Sequence, residues 1–179
     1  MARAEHASLA ATLALAGALL LAAVPATAGL LLDAPEGGYP EDPAPPPPAF
    51  SIDKLVPVAL PVNASTLALG VDPATLTMGK DGIVRYVSVI SSPSGTYSAI
   101  YEGIRCSTGE VKVYARHYSD GNWKPVAEPA WQSLFDQVAG RYSMRIARAG
   151  VCHDAAPNGS VQQILLDLRG DTSRTDRRP

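Results

Sequence analysis

Three stretches between Lys80 and Tyr118 constrain this chain more than anything else in it. Ile83-Val84-Arg85-Tyr86-Val87-Ser88-Val89-Ile90 is dense in β-branched and aromatic residues, which suit a pleated sheet. Ser92-Pro93-Ser94-Gly95 supplies a turn, Tyr97 to Cys106 returns, Ser107-Thr108-Gly109 turns again, and Glu110 to Tyr118 makes a third strand. Propensity and punctuation agree at each step, so an antiparallel meander is expected.

If the loops are four and three residues long, as those turn residues suggest, the two faces of the meander follow. Val84, Tyr86, Ile90, Tyr97, Ala99, Tyr101, Val111, Val113 and Ala115 share one. Ile83, Arg85, Val87, Val89, Ile100, Glu102, Ile104, Cys106, Tyr114 and Arg116 share the other. Both are largely apolar, so both need cover.

Two helices can supply it. Pro129-Ala130-Trp131-Gln132-Ser133-Leu134-Phe135-Asp136 opens with proline at a first-turn position and sets Trp131, Leu134, Phe135 and Val138 on one stripe. Ser160-Val161-Gln162-Gln163 has the capping pattern, with Val161, Ile164, Leu165 and Leu168 at helical spacing and Gly170 as the stop. Arg141 to Arg148 adds a further strand. The expected class is α+β: an antiparallel β meander packed with two short helices, preceded by a Pro-rich linker.

The flanks are of a different character. Residues 1–28 read as a cleavable signal peptide, with Arg3 as a weak basic start, an apolar run from Leu9 to Val24, and the small-residue site Ala26-Thr27-Ala28. Cleavage leaves no transmembrane segment, and the protein is expected in the periplasm. Residues 29–49 carry Pro35, Pro40, Pro43 and Pro45-Pro46-Pro47-Pro48, which cannot form a core and read as a disordered linker. Residues 50–170 make the single domain. Its first pieces, around Leu55 and Val58, are broken by Pro57 and Pro61 and can give at most an edge strand. Residues 171–179 form a charged, disordered tail.

Cys106 and Cys152 are the only cysteines, and an even count in an exported chain favours a disulfide. With His117 and His153 they could make four metal ligands on paper, but the spacing is unlike a zinc site. No metal and no cofactor are expected. The net charge of −2 offers no basic field for nucleic acid.

The residues Leu55-Val56-Pro57-Val58, Val71-Asp72-Pro73, Gly82-Ile83-Val84-Arg85-Tyr86 and Tyr101-Glu102-Gly103-Ile104-Arg105-Cys106 resemble a family of small exported bacterial proteins, the cryptic neisserial protein, type one-like family. Trp131-Gln132-Ser133-Leu134-Phe135 and Ala156-Pro157-Asn158-Gly159-Ser160-Val161 extend the resemblance from about Phe50 to Gly170. It implies export to the cell envelope and one uncharacterised domain. It carries over no catalytic residue.

Two constellations could carry function. Glu102, Arg116, His117 and Arg85 combine a carboxylate, an imidazole and two guanidinium groups, enough for acid–base work on a phosphodiester or a wall component. Against this, Glu102 and His117 fall on opposite faces, and Arg85 opposite Glu102 reads more simply as a cross-strand ion pair. Tyr86, Tyr97 and Tyr101, expected on one face, could instead meet a partner. The preferred expectation is a non-catalytic binding module for an unknown envelope protein or wall component, the alternative a small periplasmic hydrolase. The two diverge on whether Glu102 and His117 converge in one cleft.

Overall fold

Where β-branched residues are densest, long strands form. A computed structural model describes residues 40–60, 66–118, 121–138 and 140–175. Its centre is the expected meander: β4 (Ile83–Ser91), β5 (Tyr97–Arg105) and β6 (Glu110–Tyr118), paired antiparallel throughout. On the β4 side the sheet continues through β2 (Ala68–Val71) to β1 (Val56–Val58), with β3 (Thr77–Met78) also on β4. Proline kept β1 at the edge, as its sequence implies. On the far side, β7 (Trp123–Pro125) and β8 (Gln132–Ser133) both pair with β6.

The second of these pairings overturns one expectation. Residues 129–136 form no helix, because their backbone is taken up by the open edge of β6. Gln132 and Ser133 pair with Val111 and Glu110, and the Leu134 N–H donates to the Gly109 carbonyl at 2.9 Å. Of the expected stripe, Leu134 is buried, while Phe135 and Val138 stand in solvent. Tertiary pairing here overrides a helical period.

The helical turn lies instead where a strand was expected. α1 (Ser143–Ile146) runs directly into a wider π-type turn over Ala147–Val151. Gly150 closes it at φ +158°, and a Cβ there would lie 2.8 Å from Asp167 Cβ and 3.1 Å from the Ile164 carbonyl. Only glycine allows the approach to the next helix. A short hairpin of β9 (Cys152–His153) and β10 (Ala156–Pro157) follows, then α2 (Val161–Thr175). α2 begins as expected, with Ser160 Oγ accepting from the Gln163 N–H at 3.1 Å. It does not stop at Gly170 but continues to Thr175. A glycine inside a helix costs only about 1 kcal/mol relative to alanine, too little to break one by itself.

The main core lies between the sheet and these helices, where Val56, Leu69, Val84, Ile104, Ile164 and Leu168 are all buried. Cys106 and Cys152 are joined by a disulfide that ties the end of β5 to the chain just after the π turn. A smaller core, Val87, Val89, Ala99, Tyr101 and Ala115, occupies the other face under Phe50, Leu55 and Trp123. Both faces are therefore covered, as the pattern required. The Pro-rich stretch has no regular structure from Pro40 to Ser51, yet it is not a detached spacer there, since Glu41 and Asp42 are bonded to the sheet. Among the described residues, no helix is long and apolar enough to cross a membrane. The signal-peptide segment, the first part of the linker (29–39) and the last four residues lie outside the described residues.

Candidate functional site

The three tyrosines do not share a face. The β4–β5 loop has five residues, Ser92 to Thr96, because the Ser92 N–H donates to the Thr96 carbonyl and Gly95 adopts φ +83°. One residue more than expected turns β5 over relative to β4. Tyr86 now pairs with Glu102 and Val87 with Tyr101. Tyr86 lies fully buried under the helices, and Tyr101 is buried on the opposite side. Tyr97 alone is partly exposed, in an aromatic cluster where it stacks on His117 at 6.2 Å and meets Phe50 edge-on. The β5–β6 loop is likewise one longer than expected, Cys106 to Gly109. A bulge then makes Tyr114 the extra residue between Val113, paired with Glu102, and Ala115, paired with Tyr101. Ala115 and His117 thereby cross to the side of Tyr101.

Glu102 and His117 do lie on opposite faces. The Glu102 carboxylate is sealed between the sheet and α1, where Ser143 Oγ donates to Oε2 at 3.0 Å and Ser88 Oγ to Oε1 at 3.3 Å. The Tyr86 hydroxyl is near enough to be felt electrostatically without meeting it in hydrogen-bond geometry. Burial pushes the Glu102 pKa above its ordinary value, against the pull of Tyr86, Ser143 and Ser88 and the charge of Arg116. Burial, then the nearby Glu102, raises the Tyr86 phenol too. Arg116 shares this face but is exposed. A carboxyl shut away from solvent and from the imidazole is poorly placed for acid–base work on a substrate.

Arg85 does not pair with Glu102. The flipped register sets it beside Gly103, facing away, and its guanidinium holds Asp81 at 2.6 Å. Burial raises the Asp81 carboxyl, but bonds from Arg85 and the Ile83 and Asp42 N–H groups outweigh it and hold it below its usual range. The same face carries a second well-provided carboxylate, that of Glu41. Glu41 accepts from Lys112 Nζ, from the Tyr114 hydroxyl at 2.9 Å and from Trp131 Nε1 at 3.2 Å, with Arg85 3.9 Å away. Partial burial alone would raise Glu41; these donors hold it low.

A groove beside α1 is open to a partner. Two adjoining cavities of about 410 and 440 Å³ meet along Leu134, Phe135, Met144 and Arg148. Phe135 is 70% exposed there, and the disulfide lies under one end. Arg141, Arg145 and Arg148, spaced four and three apart, line the rim, the first from the turn before α1, the others from α1 and the π turn that follows it. Among the described residues, Arg145 and Arg148 form no ion pair. Reading 141–148 as a strand hid this row. The signal that finds it is the helical spacing of its arginines.

No group of three or more metal-ligating side chains occurs among the described residues, and the paper set of Cys106, Cys152, His117 and His153 is dissolved by the disulfide. The sequence matches the model of one protein family, described as the CNP1-like family, over residues 35–169. No curated protein and no solved structure matches the chain.

Proposed function

We propose that this chain, which belongs to the CNP1-like family, is an exported envelope protein that works by binding, holding an anionic segment of a protein partner in the groove beside α1. The observation that carries the reading is Phe135, an aromatic ring standing in solvent between a row of arginines on one side and an apolar floor of Leu134, Met144 and Ala147 on the other. Aromatic and arginine side chains dominate the energetics of interfaces, and the cavities are of a size that takes a ligand. The disulfide supports export, because such bonds persist in oxidising compartments such as the periplasm. The apolar run from Leu9 to Val24 supports it independently.

A photo-crosslinking residue at position 135 tests the groove. In living cells it should give a discrete protein adduct, lost when Arg145→Glu and Arg148→Glu are added. Adducts formed from position 97 and not from 135 would move the site to the aromatic cluster. No adduct from either position would sink the binding account. The intact mass of the envelope-extracted protein should begin at Gly29, and a retained Met1 would refute cleavage.

A further inference from the structure

Glu41 is bound more elaborately than a linker residue requires. Three donors, two from β6 and one from the residue just before β8, converge on its carboxylate, with the Arg85 charge behind them. The next residue is read through its backbone: the Asp42 N–H donates to Asp81 Oδ2 at 3.0 Å, and its carbonyl accepts from Arg85 Nη2 at 3.1 Å. Beyond it runs Pro43-Ala44-Pro45-Pro46-Pro47-Pro48, with no regular hydrogen-bonded structure, a sequence suited to a stiff extended helix.

The receiving groups are held by contacts the arm does not supply. Asp81 clamps Arg85. The Arg105 guanidinium lies 4.0 Å over the Trp131 ring, and Lys112 lies 4.9 Å from it. Tyr114 is placed by the bulge and packs on Tyr101 at 5.3 Å. Gly103 leaves room for it, since a Cβ there would come within 2.8 Å of the Tyr114 hydroxyl. Preorganised charge-assisted donors around one carboxylate are how binding sites gain affinity at low ordering cost.

We infer that this face of the sheet is a peptide-recognition site for an extended, proline-flanked glutamate, filled in the resting chain by its own Glu41-Asp42-Pro43. The arm is a tethered ligand. A short tether presents its ligand at an effective concentration on the order of millimolar, so a competing peptide enters only when the arm lets go. This site is on the other side of the sheet from the α1 groove and stands independently of it. The occupant in trans is the same Glu41-Asp42-Pro43 segment of a second copy of this chain.

The test is fluorescence anisotropy of a labelled peptide spanning residues 39–48, titrated onto the full chain. The Glu41→Ala chain, whose site is vacated, should bind it saturably, and the unaltered chain at least tenfold more weakly. A peptide carrying glutamine for its glutamate should lose tenfold or more. Adding Lys112→Glu, or Trp131→Phe should the first variant fail to fold, should weaken binding to the Glu41→Ala chain. Mixing a Glu41→Ala chain with a Lys112→Glu chain then identifies the source. A heterodimer assigns the ligand to a second copy, and peptide binding without one assigns it to a different protein. The inference fails if millimolar peptide does not bind the Glu41→Ala chain, or if Lys112→Glu and Trp131→Phe leave binding unchanged.

Discussion

One sheet has two faces, and they are covered by different means. On the helix side, α1, α2 and a disulfide close over Val84, Tyr86 and Ile104, and a buried acid there, Glu102, is cut off from water. On the other side, cover comes from aromatic rings, a proline-rich arm and the paired charges of Arg85, Asp81, Glu41 and Lys112. The first side is held by apolar burial and a covalent staple. The second is closed at its margin by Glu41 and Lys112, charged groups that water and salt still partly reach, which suits a surface whose cover can be exchanged.

The sharpest way to break this contrast is to remove the staple. Cys106 and Cys152 are 46 residues apart, and closing a loop of that length stabilises a fold by about 4 kcal/mol in the chain-entropy model. Replacing both by serine should lower the urea midpoint by a corresponding amount, and non-reducing peptide mapping of the unaltered protein should show the linked pair. Alkylation of both thiols without reductant would contradict the bond.

Cavity substitutions compare the faces directly. Ile164 has no exposure, so Ile164→Ala should cost about 3 kcal/mol or more. Leu55 is only partly buried on the other face, and Leu55→Ala should cost about 1 kcal/mol. Equal losses in chemical denaturation would show that the two cores are one.

The buried acid sharpens the comparison through pH. Glu102 has its pKa raised in the fold, so above its ordinary value of 4.5 the unfolded chain ionises while the folded one resists. Stability therefore falls as pH rises from about 4.5 toward the folded pKa, where the loss levels off. At its steepest that fall is about 1.4 kcal/mol for each step of one in pH, and Glu102→Gln should abolish it. Asp81 and Glu41, held low, act in the opposite sense: their contribution is present above their ordinary values and is lost as pH falls through the folded ones. A Glu102→Gln protein with an unchanged profile from pH 5 to 8 would mean that water reaches the carboxyl.

How far the sequence led depends on which force decided each element. Strand content, the disulfide pair and the start of α2 were legible because local propensity, cysteine count and the Ser160 cap act alone. Face assignment was not, because one extra loop residue, Thr96, inverts a whole strand. The segment at 129–136 misled because a long-range pairing partner, the edge of β6, outweighed a local period. The Glu41 site was illegible for the same reason: its donors lie 71 to 90 residues away in sequence, in two separate stretches that only the fold assembles.

The smallest expected effect is on the arm itself. Glu41→Gln keeps the shape of the side chain but removes its charge, so the bonds from Lys112, Tyr114 and Trp131 become neutral or weaker ones. Glu41 is partly exposed, and charge pairs in such positions are screened and worth about 0–1 kcal/mol. Global stability should therefore change by less than about 1 kcal/mol. Hydrogen exchange should nevertheless rise at the Asp42 amide, whose bond to Asp81 depends on the arm staying down, while amides in β4 and β5 keep their protection. The split distinguishes the two sides of the sheet. If loss of one carboxylate in the arm also loosened Val87 and Tyr101, the arm would be part of the fold rather than a ligand bound to it.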